Sequence, residues 1–462
     1  MVTSADSSRG APRPRVVALI DGEHYPPVVR FALERLAEHS DIVGLAFAGG
    51  SEKVDATDDL TAYGHSVIRG ETADAALAAA LDSLGPDEVV DLSDEPVVSA
   101  VDRMRLASLA LAAGAAYRGA DFRFDPPRAG FAPATPTLAI IGTGKRVGKT
   151  AVSAHIARTL KASGTDLVVL AMGRGGPADP ELIRGDEVSL TTEDLLALAA
   201  QGKHASSDNY EDAVMSRVTT VGSRRCGGGL AGETFFGNVE DGARLADSLG
   251  KELLIAEGSG AAIPPVAADA TLLVVGAAQG PAYVTDFFGP YRLARADAVI
   301  VAGAEEPFAS RDTVAEIRAQ VARLAPGTPV AAVTFRPRPL EPVAGKRVFF
   351  ATTAPERILP SLVEHLESEH GCEVVGASPH LSDRSRLRAD MAAVAGYDVL
   401  LTELKAAAID VVAARGAGEG IPTVLCDNIP VGVDGADLEP FIARLGLLAR
   451  TRGQARSGSQ HA

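Results

Sequence analysis

The stretch Thr137-Leu-Ala-Ile-Ile-Gly-Thr-Gly-Lys-Arg-Val-Gly-Lys-Thr-Ala-Val-Ser153 decides the fold. Its first five residues read as a buried strand, and those from Lys149 onward read as a helix running to about Lys161. Between them, Gly142, Thr143, Gly144, Lys145, Arg146, Val147, Gly148, Lys149 and Thr150 form the glycine-rich turn that a phosphate-binding loop requires. Glycine lets successive N–H groups turn inward on an oxyanion, and the following helix adds the partial positive charge of its N-terminus. In such a loop Lys149 reaches the terminal phosphates of a nucleotide and the Thr150 hydroxyl ligates Mg²⁺. The spacing departs from the standard pattern: Thr143 stands where a glycine is usual, flanked by Gly142 and Gly144. Lys145 has two readings, a second cation on the transferring phosphoryl group or a solvated loop lysine.

Working outward, a metal-side partner belongs at the end of a neighbouring strand. Leu253-Leu-Ile-Ala-Glu257-Gly-Ser-Gly260 supplies one, an apolar strand ending in a carboxylate followed by small residues that leave room for phosphates. A hard cation takes oxygen ligands, so Glu257 joins Thr150 as a candidate ligand; the alternative is a strand-end glutamate in solvent. Asp166 and Asp179 are weaker candidates.

Short Val/Ile/Leu runs alternate with Ala/Leu-rich helical stretches along almost the whole chain, the pattern of a mostly parallel α/β architecture. An N-terminal α/β domain is expected over residues 1–125, with Val28, Phe31, Ala32 and Leu36 on one face of its first helix. A Pro-rich linker follows over 126–136. The nucleotide-binding core is expected over 137–340, with a long excursion at 173–250 that builds substrate contacts. A further α/β segment spans 341–450, either a separate domain or an extension of the second sheet, and a frayed tail spans 451–462.

The chain has 462 residues, 44 Lys and Arg against 60 Asp and Glu, for a formal net charge of −16. That balance excludes a general binder of nucleic acid or anionic membrane, but not a small polyanion held in a locally basic pocket. Cys226, Cys372 and Cys426 make neither a disulfide framework nor a zinc pair. The most apolar stretch, Leu106–Tyr117, is too short to span a bilayer, and Met1–Arg15 lacks the apolar core of a signal peptide. A cytoplasmic protein is expected.

Clustered cations in an acidic chain need a reason. Arg224-Arg-Cys-Gly-Gly-Gly229 sets two guanidiniums, Arg224 and Arg225, beside bare backbone that an anion can approach closely. Arg174 follows the strand after the loop helix, on the edge where ligands bind in open α/β sheets. Both arginine groups also read as surface turns. Asp21-Gly-Glu23-His24-Tyr-Pro-Pro27 fills a strand-to-helix turn with polar groups. These either orient a substrate, hold a metal or act as base, or else cap and pack the helix. Thr402-Glu403-Leu404-Lys405 at a late strand end offers another cation, although by number alone Lys405 reads as a helix-face lysine, and Arg336-Pro-Arg338-Pro reads as a rigid connector without chemistry.

The loop and the Glu257-Gly-Ser-Gly260 segment resemble those of dethiobiotin synthetase and related deviant P-loop enzymes. Taken with Leu19-Ile-Asp-Gly-Glu-His-Tyr-Pro-Pro27 and Arg224-Arg-Cys-Gly-Gly-Gly229, the chain resembles the cyclic 2,3-diphosphoglycerate synthetase family over nearly its full length. The resemblance implies a central P-loop NTPase domain of the deviant class, with a Rossmann-like α/β domain before it and an α/β segment after it. It implies an ATP- and Mg²⁺-dependent ligase that closes a phosphoanhydride within 2,3-diphosphoglycerate. Lys145 and Lys149 would be catalytic, Thr150 and Glu257 metal-binding, and Arg174, Arg224, Arg225, Asp21, Glu23 and His24 substrate-binding. The expected partner is a small anionic substrate, not nucleic acid or membrane, with a homodimer left open. Two other readings share the loop: a carboxylate-activating ligase of the dethiobiotin synthetase type, and an assembly or partitioning ATPase. The Arg224–Gly229 loop disfavours the first, and the absence of lysine at Gly144 disfavours the second.

Overall fold

A computed structural model describes residues 12–54 and 60–459. The polar start up to residue 11 and the last three residues lie outside the described residues. The chain divides into two compact units, Met1–Pro126 with Thr285–Ala294, and Pro127–Val284 with Arg295–Ala462.

The first unit is built on β1 (Arg15–Ile20), β2 (Asp41–Phe47), β3 (Val67–Ile68), β4 (Glu88–Asp91), β5 (Ala116–Arg118) and β6 (Arg123–Phe124). Their order is β3-β2-β1-β4-β5-β6, parallel except for the last pair. Helices α1 (Pro26–Ala37), α2 (Ala73–Leu84) and α3 (Ala100–Ala112) connect them. In α1 the buried residues are Val29 and Leu33, while Val28 and Phe31 are exposed, which corrects the expected face. Apolar residues at 28, 29, 31, 32, 33 and 36 offer two stripes, and periodicity alone does not choose between them.

The second unit carries β7 (Thr137–Gly142), β8 (Leu167–Gly173), β9 (Glu181–Arg184), β10 (Thr219–Cys226), β11 (Phe236–Gly237), β12 (Leu253–Glu257) and β13 (Ala270–Gly276). The series continues through β14 (Ala298–Ala302), β15 (Val330–Pro339), β16 (Arg347–Ala351), β17 (Glu373–Ser378), β18 (Val399–Glu403) and β19 (Thr423–Gly432). One continuous sheet runs in the order β11-β10-β8-β12-β7-β13-β14-β15-β19-β18-β16-β17, with β9 paired to β10. The segment after residue 340 therefore extends the second sheet. Helices α4 (Lys149–Ala162), α6 (Asp208–Ser216) and α7 (Val239–Asp247) pack on its first half, while α5 (Thr192–Ala200) packs on β19 and the turn after β18. Leu138, Ile140, Val152, Ile156, Val169, Ile255 and Leu272 pack one core between α4 and the strands.

Direction is the informative part of this topology. Strands β7, β8, β10, β12, β13, β14 and β15 are mutually parallel, but β15 pairs antiparallel with β19, and β18 follows β19 in parallel. Ala302 ends β14 opposite Val333, whereas Glu403 ends β18 opposite Cys426, which faces Pro339. The carboxyl edges of the two halves thus face each other along the β15–β19 ribbon, separated by six residues of β15, about 20 Å at strand rise.

Two expectations for this unit change. The excursion at 173–250 contains β10, a buried core strand beside β8. Its Thr219-Thr-Val-Gly-Ser223 sequence carries too little apolar signal to read as one. The tail does not fray at 451, because a helix spans Glu439–Ser459 with Ile442, Leu445 and Ala449 in the core. Arg456 grips Asp269 through Nε and Nη2 at 2.9 and 3.0 Å and donates to the Pro133 carbonyl at 2.7 Å. An Arg456→Ala variant leaves the nearly buried Asp269 carboxylate without its cation, and a loss of about 1–3 kcal/mol in denaturant unfolding is expected. An unchanged unfolding midpoint would show that the tail helix is held by its apolar face alone.

Candidate functional site

The loop after β7 is tied down at both ends. Thr143, where a glycine was the pattern, accepts its place by hydrogen bonding: its N–H donates to Val274 O at 3.1 Å and its hydroxyl to Gln279 Oε1 at 2.5 Å. Val147 is buried, anchoring the far side. Gly148 has φ +85°, and a Cβ there would sit 2.2 Å from the Phe335 ring of β15. Only glycine satisfies both conditions. Lys149 folds back across the loop, its Nζ donating to Gly144 O at 2.9 Å. Its side chain crosses so close to Gly142 that a Cβ there would be 2.7 Å from Lys149 Cδ.

Four cations converge on this loop. Burial lowers the Lys149 ammonium to about 8, with Arg174 and Arg225 adding to the effect against Glu257 and Asp208. Arg174, then burial, and Arg146 lower Lys145. Burial and then Arg174 lower Arg225. Arg225 donates through Nη2 to Ser259 O at 2.6 Å, which brings β10 over the segment after Glu257. Mutual repulsion of this kind is what a polyanion relieves on binding. The sequence-predicted Lys145, Lys149, Arg174 and Arg225 are therefore brought together. Arg224 is not part of this group: neighbours on a strand project to opposite faces, and its exposed side chain starts beside Gly176.

Facing the cations is a buried carboxylate group. Glu257, at the end of β12, is raised to about 7 by burial and Asp208, against the Thr150 hydroxyl and Lys149. Burial and then Glu257 push Asp212 well up. Asp212 is fully buried and lies carboxyl to carboxyl against Glu257, a pair that needs a shared proton, since no other donor reaches either Asp212 oxygen or Glu257 Oε2. Asp208, Glu211 and Asp212 come from α6, and sequence reasoning missed all three. The signal was present in Ser207-Asp208-Asn-Tyr-Glu211-Asp212, whose i, i+3, i+4 spacing sets three acids on one helix face. Lys405, read as a helix-face lysine, follows β18 and bonds Glu211 Oε1 at 3.1 Å. Asp166 lies at the opposite edge, before β8, paired with Lys251 at 2.7 Å.

In the first unit, Asp21 is fully buried and organises its turn. Its Oδ1 accepts from Glu23 N, His24 N and His24 Nδ1 at 3.0, 3.2 and 2.8 Å, and its Oδ2 accepts from Asp94 N at 2.7 Å. Tyr25 is the N-cap of α1 and makes no side-chain cap bond, so neither Asp21 nor Glu23 caps that helix. Glu23 is raised chiefly by its hydrogen bond with Glu52.

Among solved structures, "apo" form LpxK from Aquifex aeolicus in complex with ATP matches 68% of this chain and 89% of its own, at a TM-score of 0.40 and 14% identity. Family models describe three parts of the chain. They are the cyclic 2,3-diphosphoglycerate synthetase N-terminal domain over residues 15–125, the P-loop domain over 137–334 and the C-terminal domain over 339–429. The cyclic 2,3-diphosphoglycerate synthetase of Rubrobacter xylanophilus is 49% identical over 450 residues, covering 96% of this chain and 99% of the relative. That of Methanothermus fervidus is 45% identical over 430 residues, covering 91% and 94%. With matching models along its length and relatives at this identity, the chain belongs to the cyclic 2,3-diphosphoglycerate synthetase family.

Proposed function

We propose that this chain catalyses ATP-dependent closure of a phosphoanhydride within 2,3-diphosphoglycerate, giving cyclic 2,3-diphosphoglycerate, ADP and phosphate. The observation that carries the reading is the convergence of Lys145, Lys149, Arg174 and Arg225 on one phosphate-binding loop. A nucleotide triphosphate and a bisphosphorylated acid together bring more negative charge than a simple kinase substrate, and a cluster of several cations is what such a load calls for. The reaction belongs to the cytoplasm, where ATP is supplied.

Two anions do not react readily, so the chemistry needs one substrate phosphate to acquire a leaving group. In the first step an oxygen of one substrate phosphate forms a bond to the γ-phosphorus as the bond to ADP breaks. In the second, an oxygen of the other substrate phosphate attacks the activated phosphorus, and inorganic phosphate leaves with the bridging electron pair. No side-chain nucleophile is required; positioning and charge neutralisation carry both steps. Lys149 and Lys145 hold the transferring group, while Arg225 and Arg174 draw the second phosphate towards it.

Mg²⁺ suits the residues present. Among the described residues no group of three or more His, Cys, Asp or Glu side chains forms a metal cage. Magnesium is commonly held by one or two protein ligands plus phosphates and water, and the Glu257 carboxyl, hydrogen-bonded to the Thr150 hydroxyl and lying against Asp212, fits that mode. When bound, the ion neutralises charge on the terminal phosphates.

Phosphorus NMR of ATP with 2,3-diphosphoglycerate tests the reaction: phosphoanhydride resonances of a cyclic product are expected, and ATP hydrolysis alone would sink the reading. Lys149→Ala should lower turnover by about a hundredfold or more.

The low position of Lys149 adds a pH signature. Free protein has given up this proton above about 8, and a bound polyanion raises the ammonium back towards its ordinary value. Nucleotide binding at about pH 9 should therefore take up about one proton, falling away towards neutrality. Calorimetry in buffers of different ionisation enthalpy measures it, and Lys149→Arg should abolish the uptake. Uptake that persists in Lys149→Arg would move the proton to another group.

A further inference from the structure

The two facing edges of the second unit leave a question about the upper one. The loop, Glu257, Arg174 and Arg225 all stand on the edge formed by β7, β12, β8 and β10. Across the gap, the carboxyl end of β18 delivers Glu403-Leu404-Lys405-Ala406. Glu403 is buried and saturated, accepting from Thr352 Oγ1 at 2.5 Å, Thr353 N and Oγ1 at 3.1 and 2.7 Å, and Asn428 Nδ2 at 2.9 Å. It is a support, not a free acid.

Lys405 is held differently. Leu404 is fully buried in a core shared by both halves, with Tyr210 and Met215 of α6 on one side and Ile409 and Leu425 on the other. Ala406 adopts φ +46°, a strained region for a residue with a Cβ, and Ser206 just before α6 donates to its carbonyl at 3.0 Å. A π-helical turn follows at Ala408–Ala413, another irregularity that recurs at functional sites. The lysine is thus pinned from before and behind. Its ammonium pairs with Glu211 at 3.1 Å, with Glu403 and Asp208 adding negative charge around it, and its side chain as a whole keeps 31% exposure. One pair uses one of three donors. Asp208 interacts with Lys405, Arg174 and Lys149 together, which places this lysine in reach of the group that surrounds the loop.

We propose that Lys405 is a substrate-binding residue, the contribution of the β18 edge, and takes an anionic group of the diphosphorylated acid. The proposal rests on the reading of the reaction above and deepens it. Nucleotide phosphates occupy the loop, so the ligand across the gap is the second substrate. One substrate held from both edges also ties the C-terminal half into the active site, instead of leaving it as a scaffold.

The test uses the full chain. Lys405→Met should raise the KM for 2,3-diphosphoglycerate about 10- to 100-fold, with the KM for ATP moving by no more than about twofold. Lys405→Arg, which keeps the charge, should recover part of the loss. Losing the lysine strands Glu211, so folding is guarded by a second comparison: Lys405→Met/Glu211→Gln against Glu211→Gln alone should show the same rise. Calorimetric titration of 2,3-diphosphoglycerate without ATP should weaken in parallel. Unchanged diphosphoglycerate affinity, an equal rise in both KM values, a change confined to kcat, or no recovery by arginine would each overturn the role of Lys405. All of these leave the reaction standing if wild type makes cyclic product. Wild type that makes none overturns the reaction itself, and this role with it.

Discussion

The antiparallel pairing of β15 with β19 is the constraint on which the second unit depends. Had β19 joined in parallel, every carboxyl edge would lie on one side, and the C-terminal half would carry its loops away from the nucleotide. The reversal turns the two edges towards each other, and the ribbon sets their separation. Its sequence fits the task. The Ala304 N–H reaches Val333 O at 2.9 Å, so odd-numbered residues of β15 turn their backbone towards β14. Beyond Val333 that side has no strand, and there Pro337 and Pro339 present no N–H to leave unpaired. Arg336 and Arg338 secure the ribbon through Glu305 and Asp427, and Asp427 also pairs with Arg158 of α4 at 2.8 Å. Phe335 closes on Gly148, so the same ribbon that spaces the edges also shapes the loop.

The electrostatics follow from this enclosure. Charges that would be cheap in water are costly between two walls, and they shift in the directions burial dictates: Lys149 downward, Glu257 and Asp212 upward. A site that is uncomfortable when empty favours ligands that complete it. The net charge of −16 does not conflict with this. It is a sum over the whole chain, while Lys145, Lys149, Arg174 and Arg225 act within one enclosure where distance and dielectric decide.

How much of this the sequence disclosed depended on the range of the interaction. The loop and Glu257 were legible because strand, turn and helix are local, and a carboxylate at a strand end has few other roles. The acids of α6 stand at a legible spacing but lie in a stretch with no strong apolar frame. Strand β10 was hidden by Thr219, Thr220 and Gly222, residues that are buried by their neighbours and not by their own hydrophobicity. The choice between a strand-end cation and a helix-face lysine at Lys405 was not open to local reading, for a deeper reason. Its meaning depends on the direction of β18, which depends on the β15–β19 pairing some seventy residues away along the chain, and no local pattern encodes a direction reversal. The paired arginines at 224 and 225 show the opposite error, since adjacency in sequence becomes separation on a strand.

The N-terminal Asp-Gly-Glu-His segment is also sharpened by hydrogen-bond counting. A carboxylate offers about four lone-pair positions, and Asp21 already receives four donors from its own turn and from Asp94. A group so committed cannot hold a metal without dismantling the turn from β1 to α1 and its tie to the loop after β4. Asp21 is therefore the support of this segment, and it fixes the ring of His24 through Nδ1, leaving Nε2 as the nitrogen that can meet a ligand. Asp21 thus sets the His24 ring and the Glu23 backbone, whereas the Glu23 carboxyl is held by Glu52 and not by Asp21.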